Sequence, residues 1–121
     1  SYEELPSFLS VGDFFVMPAR TRLFGLEVEG LGIVYLEASA CGLPVIVGNS
    51  GGAPDAVIHG ETGFVVNGED VEEIAERSLQ LLRDQELRST MSQRAREFAT
   101  KNWNWEYWAE EFNKLLKFPV K

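Results

Sequence analysis

One cysteine, one histidine and few cations are present, and each shortage closes off a class of function. A lone Cys41 forms no internal disulfide, so nothing in the chain asks for an oxidising compartment and a reducing one is expected. His59 is the single imidazole and lies far from Cys41 in the chain, so the usual zinc spacings are missing and no metal site is expected. Eleven Lys and Arg stand against 19 Asp and Glu, a net charge of −8 with no basic stripe to offset it. That balance argues against nucleic acid as a partner, because such affinity comes largely from neutralising phosphates. No apolar run approaches the roughly 20 residues that cross a bilayer. The opening Ser1 to Asp13 has neither the basic start nor the apolar stretch of a secretory leader, and none is read there. Internal repeats and low-complexity tracts are also missing.

What is present is the composition of one globular domain: 121 residues, 45% hydrophobic and 25% charged, expected to form a single domain over 1–121. Ser1 and Glu4 have the spacing of a capping box, which predicts a short helix over Glu3 to Leu9, ended by Gly12. Asp13 to Met17 predicts a buried strand stopped by Pro18. Residues 19–29 show no period and predict a loop. Ile33, Leu36, Ala40 and Cys41 recur at helical spacing, so a helix is predicted over Leu31 to Ala40 with Gly42 as its left-handed terminator. Leu43 to Val47 and Phe64 to Val66 predict two more strands, with a helical piece around Pro54 to Val57 between them. Asp70 with Glu73 predicts a second capping box, opening a helix with Val71, Ile74, Ser78, Leu81 and Leu82 along one side. Two helices follow, Gln85 to Lys101 and Trp105 to Leu116. Short apolar strands alternating with helices predict α/β architecture: a partial Rossmann-like, doubly wound parallel sheet of about three strands with helices on both faces and helices at the C-terminus. So thin a sheet leaves its first strand with an open edge, the mark of a piece of a larger domain or of a module that pairs with itself.

The stretch EGLGIVYLEASACGLPVI, Glu29 to Ile46, carries the chemistry. Ligands of open parallel sheets gather at the carboxyl ends of strands, beside the N-termini of the following helices. A helix starting near Gly30, Leu31, Gly32 and Ile33 offers unpaired amides and a positive dipole end to a phosphate, and the two glycines let it approach the backbone. Carboxylates cannot hold phosphate, but they accept hydrogen bonds from hydroxyls. A sugar nucleotide carries hydroxyls on both sides of its diphosphate. Glu29 is thus placed to take those of the sugar and Glu37 those of the ribose, unless both simply sit in solvent, as most Glu side chains do.

Around this stretch Pro18-Ala19-Arg20, Glu29-Gly30-Leu31-Gly32, Leu36-Glu37-Ala38, Gly42-Leu43-Pro44-Val45-Ile46 and Gly51-Gly52-Ala53-Pro54-Asp55 resemble the C-terminal half of retaining glycosyltransferases of family four. Glu29 and Glu37, separated by seven residues, match that family's signature, and the long segment from Met17 to Ile46 is most similar to its phosphatidylinositol mannosyltransferase branch. The resemblance implies the C-terminal half of a GT-B nucleotide-sugar domain and a nucleotide diphosphate sugar as donor, GDP-mannose favoured. It further implies a hexose, mannose favoured, transferred to a lipid or glycan. By it Glu29 contacts the sugar, Glu37 the ribose, and the backbone of Gly30, Leu31, Gly32 and Ile33 the diphosphate, without a metal or other cofactor. A cytoplasmic location is implied, with peripheral contact to the inner membrane face through a lipid acceptor in a full-length enzyme. The family's diphosphate-neutralising cations lie upstream of this chain and its acceptor groups in an N-terminal domain. No catalytic residue is therefore assigned here, and the isolated chain is expected to be inactive or weak. The competing expectation is a non-catalytic half-Rossmann module that dimerises through the Phe14 to Met17 edge and binds nucleotide sugar weakly or not at all. A nucleotide-sugar epimerase of similar architecture fits less well, for want of acid–base residues.

Other residues invite a role that a plainer account covers. His59 sits in a turn, Cys41 on an apolar helix side, and Arg20 and Arg22 in a loop where Glu27 or Glu29 can pair with them. Ser50-Gly51-Gly52 fits a ligand contact and a tight turn equally well. Trp105, Trp108, Phe112 and Leu115 or Leu116 form a helical stripe, expected to pack or to face a missing N-terminal domain.

Overall fold

A computed structural model of the chain describes residues 2–116. A 3₁₀ turn at Tyr2–Glu4 leads into α1 (Leu5–Leu9), followed by β1 (Phe15–Met17), α2 (Ile33–Ala40), β2 (Val45–Gly48), a 3₁₀ turn at Ala53–Ala56, β3 (Gly63–Val66), α3 (Val71–Arg83), α4 (Gln85–Asn102) and α5 (Trp105–Leu116). The strands form one parallel sheet in the order β1-β2-β3, with Phe15 beside Val45 and Ile46 beside Phe64. The expected α/β, three-stranded, doubly wound sheet is what the chain builds.

Alternation along β2 explains the two-sided core. Val45 and Val47 point toward α2 and pack with Tyr35, Ala38, Ala53 and Ala56. Ile46 points the other way and, with Phe64 and Val66, meets Leu81 of α3 and Met91 of α4. All four residues of β2 are buried, as a central parallel strand covered on both faces must be. Helix α4 ties the layers together: Arg88 on its first turns donates to the Leu81 carbonyl and lies 3.6 Å from Asp13, while Ser92 donates to the Gly42 carbonyl at the end of α2.

Caps set the helix starts. The Asp70 carboxylate accepts from the Glu73 amide and that of Asp84 from the Leu87 amide, and Gly42 leaves α2 at φ +81°. Three details differ from expectation. Ser1, the expected first cap, lies outside the described residues, and α1 follows a 3₁₀ turn with no side-chain cap at Glu4. Glu73 turns its carboxylate to the Asn67 amide, so the capping box at Asp70 is not reciprocal. On α3, Ile74 and Leu81 pack inward but Val71, the helix's first residue, and Leu82 are exposed.

Two neighbours on one expected stripe therefore have opposite fates. Leu81→Ala is expected to cost about 2–5 kcal/mol and Leu82→Ala to change stability by no more than about 0.5 kcal/mol, as read from urea unfolding midpoints at equal m-values.

Candidate functional site

The site is built where β1 ends. After Pro18 the chain passes through residues 19–28 and returns along Glu29, Gly30 and Leu31 to enter α2. Gly32 caps that helix in the left-handed region (φ +70°), two residues later than the periodicity suggests. The Tyr35 ring lies so close that a Cβ on residue 32 would sit 2.2 Å from it, so only glycine fits there. Tyr35 is fully buried and donates its hydroxyl proton to the Met17 carbonyl at 2.8 Å, tying α2 to the end of β1.

The approach to the helix is fixed from the other side by the turn after β2. The Gly52 amide donates to the carbonyls of Glu29 and Gly30, at 3.1 and 2.9 Å. A Cβ at residue 51 would lie 1.8 Å from the Glu29 oxygen, so only glycine lets the two backbones meet. The buried Ser50 hydroxyl accepts from the Glu29 amide at 3.3 Å and pairs with the Thr21 hydroxyl at 3.0 Å. Ser50-Gly51-Gly52 thus serves a structural end, the positioning of Glu29 and Gly30.

The expected site residues fall around this junction. Glu29 is half-buried, with Oε1 accepting from the Gly30 amide at 3.1 Å and with its charge near the Tyr35 hydroxyl. Gly30 and Ile33 are exposed, Leu31 and Gly32 half-buried. No side chain caps the opening of α2, which faces outward with its positive dipole end. Glu37 lies one turn beyond Ile33, half-buried, in a groove of about 510 Å³ that α2 forms with Ala99, Trp103, Trp105 and Trp108 of the C-terminal helices. Glu29 thus precedes the helix opening, Glu37 lies one turn inside the helix, and the groove that holds Glu37 is not lined by Glu29. Such an arrangement can hold an anion on main-chain amides and hydroxyl groups at each end of an elongated ligand.

Arg22 pairs with Glu27 at 3.7 Å, one of the two partners expected for it, and Arg20 is exposed. His59 Nδ1 accepts from the Val65 amide and its ring stands edge-on to Phe64, the role of a turn residue. Trp105, Trp108, Phe112, Leu115 and Leu116 are exposed in this chain. Among the described residues no group of three or more His, Cys, Asp or Glu side chains is disposed to hold a metal ion, and no helix is long and apolar enough to cross a membrane. Sequence reasoning missed Tyr35. Its signal was the Gly32-to-Tyr35 spacing, one helical turn that lays an aromatic ring over a residue without a side chain.

Residues 1–98 match the family of glycosyl transferases group 1. The chain is 50% identical, over 94% of its length, to a GDP-mannose-dependent alpha-(1-6)-phosphatidylinositol monomannoside mannosyltransferase of Mycolicibacterium smegmatis. It is 47% identical, over 96% of its length, to the corresponding monoacylated phosphatidylinositol monomannoside mannosyltransferase of Corynebacterium glutamicum. It spans 30% of the length of each of these relatives. A sucrose-phosphate synthase from Thermosynechococcus elongatus superposes with a TM-score of 0.83 at 31% identity, covering 97% of this chain and 28% of that one.

Burial, and after it the Glu29 charge, push the Tyr35 hydroxyl up to about 12, with a backbone hydrogen bond at Ala19 opposing. A raised folded-state value stabilises the fold fully below the ordinary tyrosine value near 10 and is lost as pH rises through about 12. Stability should hold up to about pH 10 and then fall. Tyr35→Phe should remove that part of the decline, as read by unfolding at stepped pH beside tyrosinate absorbance.

Proposed function

The chain belongs to the glycosyl transferases group 1 family, and from that membership we propose that it is the donor-holding C-terminal part of a retaining hexosyltransferase. The donor is a nucleotide diphosphate sugar, GDP-mannose before others, and the acceptor a lipid; both follow the named chemistry of the mannosyltransferase relatives. The reading carries with it a cytoplasmic place and peripheral contact with a membrane. The observation that carries it is the start of α2 with no side-chain cap, Glu29 just before it and Glu37 one turn inside the helix.

In this reading the diphosphate sits on the amides of Gly30 to Ile33. Glu29 takes hydroxyls of the sugar and Glu37 those of the ribose, as acceptors in charge-assisted hydrogen bonds. Because the donor is pinned at both ends, its anomeric carbon is held relative to the helix dipole, which favours charge building on the departing phosphate. This chain spans 30% of its relatives' length, so the groups that seat an acceptor and exclude water are assigned to the remainder, and the chain alone is inactive or weak.

Calorimetry or saturation-transfer NMR with GDP-mannose and a panel of other nucleotide sugars tests the site. Glu37→Ala should weaken donor binding roughly ten- to hundredfold while leaving the fold intact; undiminished binding removes Glu37 from the ribose. The alternative, a self-associating half-module, draws on two features: β1 pairs only with β2 among the described residues, and the α5 stripe is bare. Sedimentation of the chain separates the two, since the module requires a concentration-dependent dimer and a clean monomer counts against it.

A further inference from the structure

Two hydroxyl groups tie the loop after β1 to Glu29, and the direction of their hydrogen bonds follows from burial. Ser50 is 1% exposed. Its Oγ accepts from the Glu29 amide at 3.3 Å and lies 3.0 Å from Thr21 Oγ1. A hydroxyl carries one proton to donate, and a buried proton without an acceptor is costly. Were Thr21 the donor of the pair, Ser50 would accept twice and its own proton would have no partner among the described residues. Ser50 therefore donates to Thr21, whose own proton turns to solvent, since Thr21 is exposed and water satisfies it there.

The main chain of Glu29 is thus held from two sides. Gly52 takes its carbonyl through main chain alone, whereas the hold on its amide runs through Ser50 to a side chain 29 residues from Ser50. Beyond Thr21 the loop closes on itself, Arg22 and Glu27 exchanging backbone hydrogen bonds of 2.8 and 3.2 Å, so Thr21 is the point at which that turn is joined to the site. We propose that Thr21 is a positioning residue for the donor site: by accepting the Ser50 proton it keeps the Ser50 oxygen on the Glu29 amide, and so fixes the carboxylate assigned to the sugar. Thr21 does not touch the ligand. Without its hydroxyl, Ser50 has to turn toward another acceptor, and the Glu29 amide loses its partner. The inference rests on the donor reading above for its purpose, while the link from Thr21 to the Glu29 amide is a property of the chain with no ligand present.

Two measurements on the full chain test it, both at a temperature where every variant is fully folded: exchange of the Glu29 amide proton by NMR without ligand, and calorimetry with GDP-mannose. Thr21→Val keeps the shape and removes the hydroxyl; it should speed that exchange about tenfold and weaken GDP-mannose binding roughly three- to tenfold. Thr21→Ser restores the acceptor and should match wild type in both. In a Ser50→Ala background Thr21→Val should add nothing further to either, because the link is already cut. Unchanged exchange or undiminished binding in Thr21→Val, or failure of Thr21→Ser to match wild type, overturns the proposal. So do effects of Thr21→Val and Ser50→Ala that simply add, which would make Thr21 a direct contact of the ligand. Absence of GDP-mannose binding by wild type ends the donor reading, and the exchange rates still decide whether Thr21 holds the Glu29 amide.

Discussion

The contact between two stretches of main chain governs this molecule: the turn at Gly51 and Gly52 lies against the backbone of Glu29 and Gly30, with the Gly52 amide shared between their carbonyls. Both stretches follow carboxyl ends of adjacent parallel strands. Their contact can form only if β1 and β2 are in register and the turn after β2 carries no side chain at the meeting point. The whole site depends on it, because it decides where α2 begins and which way its first amides face. Tyr35 secures the same junction from below, its ring filling the space over Gly32 and its hydroxyl reaching Met17.

Much of the architecture was legible because it follows from local chemistry. Pro18 ends β1 by lacking an amide proton, Gly42 ends α2 in the left-handed region, and Asp70 marks a helix start with its own carboxylate. What was not legible is tertiary. The start of α2 falls at Ile33 instead of Leu31, where the turn after β2 holds the Glu29 and Gly30 carbonyls, a contact between segments more than 20 residues apart. The apolar stripe of α3 is buried only in part: Val71 and Leu82 remain in solvent while Ile74 and Leu81 pack. Residues 19–29 have no period, yet Arg22 and Glu27 close them into an ordered turn through a bridge that only the three-dimensional pairing reveals.

For the candidate site, the spacing of Glu29 and Glu37 picks out the two acids that are proposed to hold the donor, but says nothing of how they stand to each other. Glu29 stands before the helix, near Tyr35, and Glu37 one turn inside it, in the groove with α4 and α5. Ser50 shows the reverse case. A serine in a glycine-rich turn at a strand's end looked as much like a ligand contact as a turn residue, and its hydroxyl is engaged with the Glu29 amide and Thr21.

A chain of net charge −8 looks a poor host for a diphosphate, and the acids beside its proposed seat deepen the difficulty. Screening resolves part of it. At physiological salt, charges more than about 8 Å apart are largely masked, so distant carboxylates on α3 and α4 contribute little at the opening of α2. Locally the balance is among Glu29, Glu37, Arg20 and Arg22, with Arg22 offset by Glu27. Side-chain charge therefore gives no net pull on an anion here. The proposed donor seat therefore rests on main-chain amides, which need no countercharge and cannot be titrated away, so in that proposal the glycine contact after β2 counts for more than any ionic side chain of the chain.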